Sequence, residues 1–307
     1  MSKIRTFFKL AKRDPKHIWI IVGQKFAASK ISRLWNDKSF LSFRFKCAFG
    51  YKMDFNNPKT FNEKMQWLKL YNRTSDKTIM VGKKTAKDYV RDICGDDYII
   101  PTLGCWDSFD EIDFDTLPNQ FVLKCTHDSG SVLICRDKAS FNKEKAKKHF
   151  KKCLKRNMFW WGREWPYKNV KPQIIAEPFL LNGDSDFLQV YKFLCFNGIP
   201  RIIQTIQNDK QPNETIDYFD TEWNLLDIKQ NYPNSENPLT KPILLDKMVQ
   251  IAKLLSKNQP FVRIDLYLID NTIKFSEFTF FSDCGFAKFT PSDIDELLGS
   301  WIALPSR

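Results

Sequence analysis

Residues 261–281 (FVRIDLYLIDNTIKFSEFTFF) hold two strongly β-prone runs separated by Asp270-Asn271-Thr272. This pattern reads as a β-hairpin with a three-residue loop. Ile269 then faces Ile273, Tyr267 faces Phe275, Asp265 faces Glu277 and Arg263 faces Thr279. Strand side chains alternate between faces, so Arg263, Asp265, Glu277 and Thr279 project from one side of the sheet. Directly opposed residues have Cβ atoms roughly 4.5–5.5 Å apart, a spacing at which two carboxylates repel. A positive charge between Asp265 and Glu277 resolves the conflict. Carboxylates are hard ligands that hold Mg²⁺ at one or two points while substrate phosphates complete the octahedron. Arg263, pairing with both acids, is the alternative. A two-residue loop would slip the pairing by one and send Glu277 to the face opposite Asp265.

A second constellation precedes it. Phe121-Val122-Leu123-Lys124-Cys125 is an apolar strand, followed by the small loop Thr126-His127-Asp128-Ser129-Gly130-Ser131 and a return strand, Val132 to Cys135. An ammonium inside an apolar strand needs a counter-charge, and for Lys124 a phosphate would serve. Ser129, Gly130 and Ser131 are small enough for their backbone N–H groups to approach phosphate oxygens, although they also suit a plain hairpin turn. His127 could donate to a phosphate or transfer a proton; a loop histidine more often does neither. No nucleophile elbow accompanies His17, His127 and His149, which argues against a Ser-His-Asp enzyme.

Elsewhere the chain alternates helices and short strands. Thr60 lies three residues before Glu63, a capping-box spacing that opens a helix over Thr60–Tyr71. A second helix follows over Lys83–Val90, ended by Gly95, and then a short strand at Tyr98–Pro101. Residues 140–157 form a lysine-coated helix. Gln173–Leu181 reads as strand plus connector. Asp186–Phe196 and Ile199–Gln207 form a hairpin turning at Asn197-Gly198. Asn208–Pro242, rich in Asn, Pro and Asp, reads as a long loop or lid, and Asp246–Lys257 as a mostly buried helix.

The chain has 307 residues, 43% hydrophobic and 27% charged, an ordinary globular make-up large enough for one big core or two lobes. Its eight cysteines are scattered without a Cys-x-x-Cys pair, which disfavours a zinc site. The longest apolar run near the start, Ile18 to Val22, falls far short of the roughly 20 residues that span a membrane. No export signal is visible, so reduced thiols and a cytoplasmic location are expected. The net charge of +12 is concentrated at the start, where residues 1–52 hold 13 Lys/Arg against Asp14 and Asp37. There the basic residues alternate with aromatic and aliphatic ones, as in basic amphipathic helices. Such a segment suits the inner face of an anionic membrane, an acidic polymer, or a solvated face packed on the core. No nucleic-acid module accompanies it, and nucleic acid is not expected as a partner.

Several stretches resemble the TupA-like branch of the ATP-grasp superfamily, known from bacterial surface-polysaccharide and teichuronopeptide gene clusters. They are Asn57–Lys64, Leu117–Lys124, Ile174–Glu177, Tyr191-Lys192-Phe193 with Phe196-Asn197-Gly198, Val262–Tyr267, and Glu277–Phe280. The resemblance runs from about Trp35 to Leu304. It implies an α+β fold of two lobes whose antiparallel sheets grip ATP, here preceded by the basic helical segment. The parts would be that segment over 1–52, a helical and mixed region over 53–120, a lid over 121–180 and a catalytic core over 181–307. Lys83 and Lys124 would contact phosphates under the loop Ser129-Gly130-Ser131. Glu177 and the backbone of Phe179 and Leu180 would hold adenine, with Asp186 near the ribose. Arg263 would steady the transferred phosphoryl group, and Asp265, Glu277 and Thr279 would surround one or two Mg²⁺. The chain departs from the family pattern at Gly82, at Thr279, where a metal-binding Asn is common, and at Phe281–Cys284.

The activity so implied is carboxylate–amine ligation through an acyl phosphate. The acceptor would be an acidic polysaccharide or sugar, such as a uronic acid amidated with an amino acid. The alternatives are a sugar kinase using the same nucleotide site, a glycosyltransferase, and a nucleotide- or glycan-binding scaffold that has lost catalysis. A pocket at Arg163, Glu164, Trp165 and Tyr167 is a candidate for the acceptor, and equally a structural aromatic cluster.

Overall fold

The computed structural model describes residues 15–181 and 188–306. Residues 1–14 of the basic segment and Asp186 lie outside the described residues.

Two antiparallel sheets organise the molecule. The smaller has strand order β1 (Gly104–Trp106), β4 (Ile174–Pro178), β2 (Phe121–Cys125), β3 (Leu133–Cys135). In β2, Phe121, Leu123 and Cys125 are fully buried and pack with Ala146, Phe150 and Cys153 of helix α6 (Lys143–Cys153). Val122 and Lys124 alternate to the other face, which is half open. The larger sheet runs β7 (Thr215–Phe219), β6 (Ile199–Gln207), β5 (Val190–Phe196), β8 (Phe261–Ile269), β9 (Thr272–Thr279). Its apolar face joins helices α3 (Phe61–Tyr71), α4 (Ser75–Val81), α5 (Thr85–Cys94) and α8 (Leu245–Leu255) in the main core. The expected capping box is present, with Glu63 N donating to Thr60 Oγ1 at 3.2 Å and Thr60 N donating to Glu63 Oε2 at 3.2 Å. A short helix, α7 (Phe159–Gly162), follows α6, and α9 (Asp293–Ser300) closes the chain.

The β8–β9 hairpin differs from its expected form in an instructive way. Its loop is two residues long, because Ile269 pairs with Thr272, Leu268 with Ile273 and Tyr267 with Lys274, rather than Ile269 with Ile273 and Tyr267 with Phe275. Asp270 and Asn271 take φ +47° and +59°, the left-handed pair that a tight hairpin turn requires and that Asp and Asn tolerate. A bulge after Asp265 then shifts the register, so Asp265 pairs with Glu277 and Arg263 with Thr279. The turn at Asn197-Gly198, with φ +49° and +77°, is of the same two-residue kind, and Gly198 is well suited to it.

Two other expectations are corrected. Tyr98–Pro101 forms no strand; a 3₁₀ turn at Asp96–Tyr98 leads into extended chain held by Lys87, whose Nζ donates to Ile100 O at 2.8 Å. The polar stretch 208–242 contains β7, which completes the larger sheet.

Helices α1 (Pro15–Ala28) and α2 (Asp37–Phe49) form a third, small core with Met53 and Phe55. They cross closely: a Cβ on Gly23 would lie 2.9 Å from Cys47 Cβ. The division of faces expected of an amphipathic helix is missing from α1. Between Ile18 and Ala28 only Gly23 and Ala27 are buried, while Trp19 is 59% exposed and Ile18, Ile20, Ile21 and Val22 are half-exposed.

Candidate active site

The two sheets close on a cleft of about 630 Å³. From the smaller sheet Val122, Lys124 and Glu177 face it; from the larger, Val190, Lys192 and Tyr267. Lys83, just before α5, and Lys87, in its first turn, line the same space.

On the smaller-sheet side, Glu177 answers the question that Lys124 raises. Val122 pairs with Glu177 and Lys124 with Ile175, so Lys124 and Glu177 are diagonal neighbours on one face. Lys124 Nζ lies 2.5 Å from Glu177 Oε2, and Lys87 Nζ lies 2.6 Å from Oε1. Glu177 is 5% exposed. Burial alone would raise its carboxyl pKa, yet Lys124 and Lys87 hold it below the usual range. Lys83 Nζ donates to Asp128 O at 2.5 Å, and its backbone N–H donates to Thr126 O, tying the start of α5 to the loop after β2. Burial pushes the Lys83 ammonium down, with Glu277 the strongest opposing charge.

The larger sheet carries a polar row, one residue per strand. Tyr218 pairs with Gln204, Gln204 with Lys192, Lys192 with Asp265, and Asp265 with Glu277. Direct partners point the same way, so five strands present Tyr-Gln-Lys-Asp-Glu side by side. Arg263 lies on the Asp265–Glu277 end. Its Nε and Nη2 donate to the two oxygens of Asp265 at 2.7 and 2.8 Å, Nη2 also donates to Thr279 Oγ1 at 3.0 Å, and Glu277 Oε1 lies 3.6 Å away. The guanidinium thus supplies the positive charge that the opposed acids need. Burial pushes the Asp265 carboxyl up, against Arg263 and Lys192. For Glu277, burial is outweighed by Lys83, Arg263 and Lys192, and its pKa is lowered. The Glu277 side chain keeps 42% of its exposure, so solvent reaches it. Burial also lowers the Lys192 ammonium.

Five cationic side chains, Lys83, Lys87, Lys124, Lys192 and Arg263, therefore converge with three carboxylates, Glu177, Asp265 and Glu277. The balance favours a polyanion. Among the described residues no cluster of three or more His, Cys, Asp or Glu has the arrangement to hold a metal by itself. Mg²⁺ does not need one, because it is commonly held by one or two carboxylates plus substrate phosphates. The Glu277 carboxylate is solvent-accessible, and each Asp265 oxygen keeps a lone pair beyond the one given to Arg263. The donor set fits Mg²⁺ that arrives with phosphate.

The other expected residues divide. Phe179 and Leu180 line the cleft, and Arg136 stacks on the Phe179 ring at 5.0 Å. Ser129 and Gly130 are exposed at the tip of the β2–β3 loop. Gly130 has φ +88° and open space around it. The Ser131 hydroxyl is committed inside that loop, accepting from Cys125 N at 2.8 Å and donating to Asp128 Oδ1. His127 is 2% exposed, and neither ring nitrogen has a hydrogen-bond partner. The backbone of Cys153 and Arg156 lies beside the ring without reaching hydrogen-bond geometry, and burial lowers the imidazole pKa. His127 thus belongs to the packing of the loop on α6.

Lys87, Lys192, Gln204 and Tyr218 were absent from the sequence-derived site. Lys192 breaks an otherwise apolar run (VYKFLCF), the same signal that marked Lys124, whereas Gln204 sits in RIIQTIQ among other polar residues and carries no such mark. Beyond Arg263, Glu164 and Cys284 meet near Gly162, where an added Cβ would lie 2.8 Å from Glu164 Oε1 and 3.0 Å from Cys284 Sγ. Burial raises both groups' pKa values. Arg163, in contrast, is fully buried and faces α2, in an ion pair with Asp37 at 2.9 Å.

Two antiparallel sheets closing on this cleft define the ATP-grasp fold. The family model of TupA-like ATP-grasp proteins matches residues 63–303, and the chain belongs to that family. Among solved structures, D-alanine–D-alanine ligase from Bacillus anthracis in complex with ATP is similar at 12% identity and a TM-score of 0.39, over 66% of this chain and 53% of that one. The ATP-grasp ligase PsnB, with precursor, Mg and ADP, is similar at 10% identity and a TM-score of 0.38, over 83% and 65%. Phosphoribosylamine–glycine ligase from Thermotoga maritima is similar at 15% identity and a TM-score of 0.38, over 66% and 48%. The chain spans about half the length of the D-alanine–D-alanine ligase it matches. No curated protein matches it. Among the described residues, no helix is long and apolar enough to cross a membrane.

Proposed function

We propose that this protein is an ATP- and Mg²⁺-dependent ligase that activates a carboxylate and joins it to an amine, with an acidic polysaccharide or sugar as the acceptor. The reading rests chiefly on one observation: four lysines line a single cleft between two sheets, and on the same face of the larger sheet Arg263 and the opposed acids Asp265 and Glu277 lie next to one of them, Lys192. Family membership supports ATP as the nucleotide, and the surface-polysaccharide context of the TupA-like resemblance supports the acceptor class.

In this reading Lys83 and Lys124 bind the nucleotide phosphates, helped by Lys87 and Lys192. Ser129 and Gly130, with the Ser131 backbone, form the loop that covers them. Glu177 and the chain at Phe179 and Leu180 flank the adenine, and Asp186 is assigned to the ribose. Asp265, Glu277 and Thr279 would hold Mg²⁺, whose charge helps neutralise the phosphates when bound. Arg263 steadies the phosphoryl group moving from ATP to the carboxylate. Such transfer needs fixed positive charge where negative charge develops, and exclusion of water that would hydrolyse the acyl phosphate. The amine then attacks the acyl carbon and phosphate leaves.

Product analysis with ATP and Mg²⁺ tests this directly. A ligase releases ADP and phosphate only when both an acidic sugar and an amine are supplied. A phosphorylated sugar would replace the reading with a kinase, and glycosyl transfer without ATP with a glycosyltransferase. Failure to take up ATP in calorimetry would leave a binding scaffold.

A further inference from the structure

The corner where α1 meets α2 presents apolar side chains that the fold holds outward. The 3₁₀ turn Ile31–Leu34 has Ile31 65% and Leu34 85% exposed, and Trp35 beside it is 40% exposed. These are not loose ends. Ser32, between them, is fully buried, and its carbonyl accepts from Arg163 Nη2 at 2.7 Å. Arg163 is itself fully buried, with its guanidinium over Phe40 at 4.3 Å and Trp160 at 4.8 Å. Trp35 packs edge-on to Phe26 at 4.8 Å. A rigid anchor therefore turns Ser32 in and Ile31 and Leu34 out.

Nearby, α1 carries exposed Trp19 and half-exposed Ile18, Ile20, Ile21 and Val22, and α7, which packs on α1, leaves Trp161 41% exposed. Lys25 on α1, Lys30 just before the turn and Arg33 within it are exposed, as are Lys38 and Lys46 on α2. The sequence of residues 1–14 adds five more Lys/Arg and one Asp.

We propose that this corner docks on an anionic membrane surface, with Ile31, Leu34 and the α1 apolar side chains entering the headgroup boundary and the basic residues meeting acidic lipid headgroups. α1 has no single apolar stripe, so the contact rests on the outward Ile31 and Leu34 with their basic neighbours, apolar burial and attraction to anionic lipid being the two terms that set interfacial binding, and tryptophan favours the same depth. At 14 residues α1 lies on a bilayer rather than through it. A second copy of the chain would bring the same positive charge to the contact, which disfavours a dimer here. An acidic glycan or nucleic acid would engage the basic residues but has no use for Ile31 and Leu34.

Co-sedimentation of the full chain with vesicles decides the matter. Vesicles of phosphatidylcholine and phosphatidylglycerol in equal parts should bind at least about tenfold better than pure phosphatidylcholine, since each basic residue near an anionic surface strengthens binding about fivefold. The double variant Ile31→Glu with Leu34→Glu should lose about tenfold or more of that binding. Lys30→Gln should weaken it by a smaller factor, and both should keep the wild-type thermal midpoint, because the altered side chains are exposed. Equal binding to both vesicle types, binding to neither, or full binding by the double variant would overturn the proposal. So would an unchanged vesicle interaction alongside a concentration-dependent dimer that the double variant abolishes. None of these readouts depends on ATP turnover, so they stand or fall apart from the ligase reading.

Discussion

Asp265 and Glu277 face each other across β8 and β9 because Ser276 is the extra residue of a bulge. Below the bulge Phe275 pairs with Leu266 on the core side; above it Glu277 pairs with Asp265 on the cleft side. In an unbroken strand positions 275 and 277 would share a face. With the two-residue turn and no bulge, Glu277 would oppose Ile264 and enter the core. The bulge re-aims one side chain, a common use of bulges beside functional sites.

Glu277→Gln is therefore expected to lower turnover by about a hundredfold or more, the scale of losing one preorganised electrostatic partner, with no change in thermal midpoint. Deleting Ser276 should do much less. It removes the bulge, yet the shortened strand still brings Glu277 opposite Asp265. Calorimetric titration with Mg²⁺ and a non-hydrolysable ATP analogue compares the two. Equal loss in both would mean that the bulge itself, and not the pairing, is what the site requires.

That hairpin also shows what a sequence can and cannot disclose. Alternation along residues 261–281 was enough to put Asp265 and Glu277 on one face, but the loop was shorter than expected and the bulge longer by the same residue. The shorter turn and the bulge offset each other by one residue, and neither is marked by hydrophobic pattern. Lys124 announced itself as a charge in an apolar strand, whereas its partner Glu177 is a neighbour only through the β2–β4 register. The row Tyr218, Gln204, Lys192, Asp265, Glu277 was invisible because it exists only once the strand order β7-β6-β5-β8-β9 is known. Strands as short as β1 and β3 carry too few residues for a period, and β7 was hidden by the polar chain around it.

Glu177 is the sole counter-charge within 4 Å of both Lys87 and Lys124 among the described ion pairs. Removing it leaves two largely buried ammonium groups without an anion, a change that typically costs about 3 kcal/mol or more. Glu177→Ala should show that loss in urea denaturation, and inorganic triphosphate should restore part of it by binding the stranded lysines. A loss below about 1 kcal/mol, the scale of an exposed pair, would show that solvent already screens these charges.

Gly285 and Gly130 both have positive φ, +60° and +88°, but different surroundings. At Gly285 a Cβ would lie 2.6 Å from Met65 Cβ and 2.7 Å from Gln66 Nε2, whereas Gly130 has nothing within 4 Å. Gln66 Nε2 donates to Gly285 O at 2.7 Å and anchors the turn that carries Cys284. Gly285→Ala thus combines backbone strain with overpacking and should destabilise the fold by about 2 kcal/mol or more. Gly130→Ala adds only the strain, about 1 kcal/mol. Similar thermal shifts for the two would contradict the close packing of Gly285 on α3.

Lys69 gives the clearest pH signature. It is fully buried, and burial lowers its ammonium pKa to about 8, although Nζ donates to Gln66 Oε1 at 3.0 Å and to Cys284 O at 2.7 Å. An unfolded lysine titrates near 10.4. Below about pH 8 both states carry the proton, and the folded state bears the full cost of the buried charge. Between about 8 and 10.4 the unfolded chain binds more protons than the folded one, so the Lys69 contribution to stability rises with pH. Its slope approaches about 1.4 kcal/mol per pH unit. Buried thiols and tyrosines, raised in pKa, act in the opposite sense, so total stability is a poor readout. The difference between wild type and Lys69→Met isolates the lysine. Measured by urea denaturation at about pH 7 and about pH 10, the wild type should gain on the variant by about 2–3 kcal/mol. A difference that stays flat with pH would mean that Lys69 keeps its proton throughout, held by its two hydrogen bonds and by the Phe286 ring 4.7 Å away.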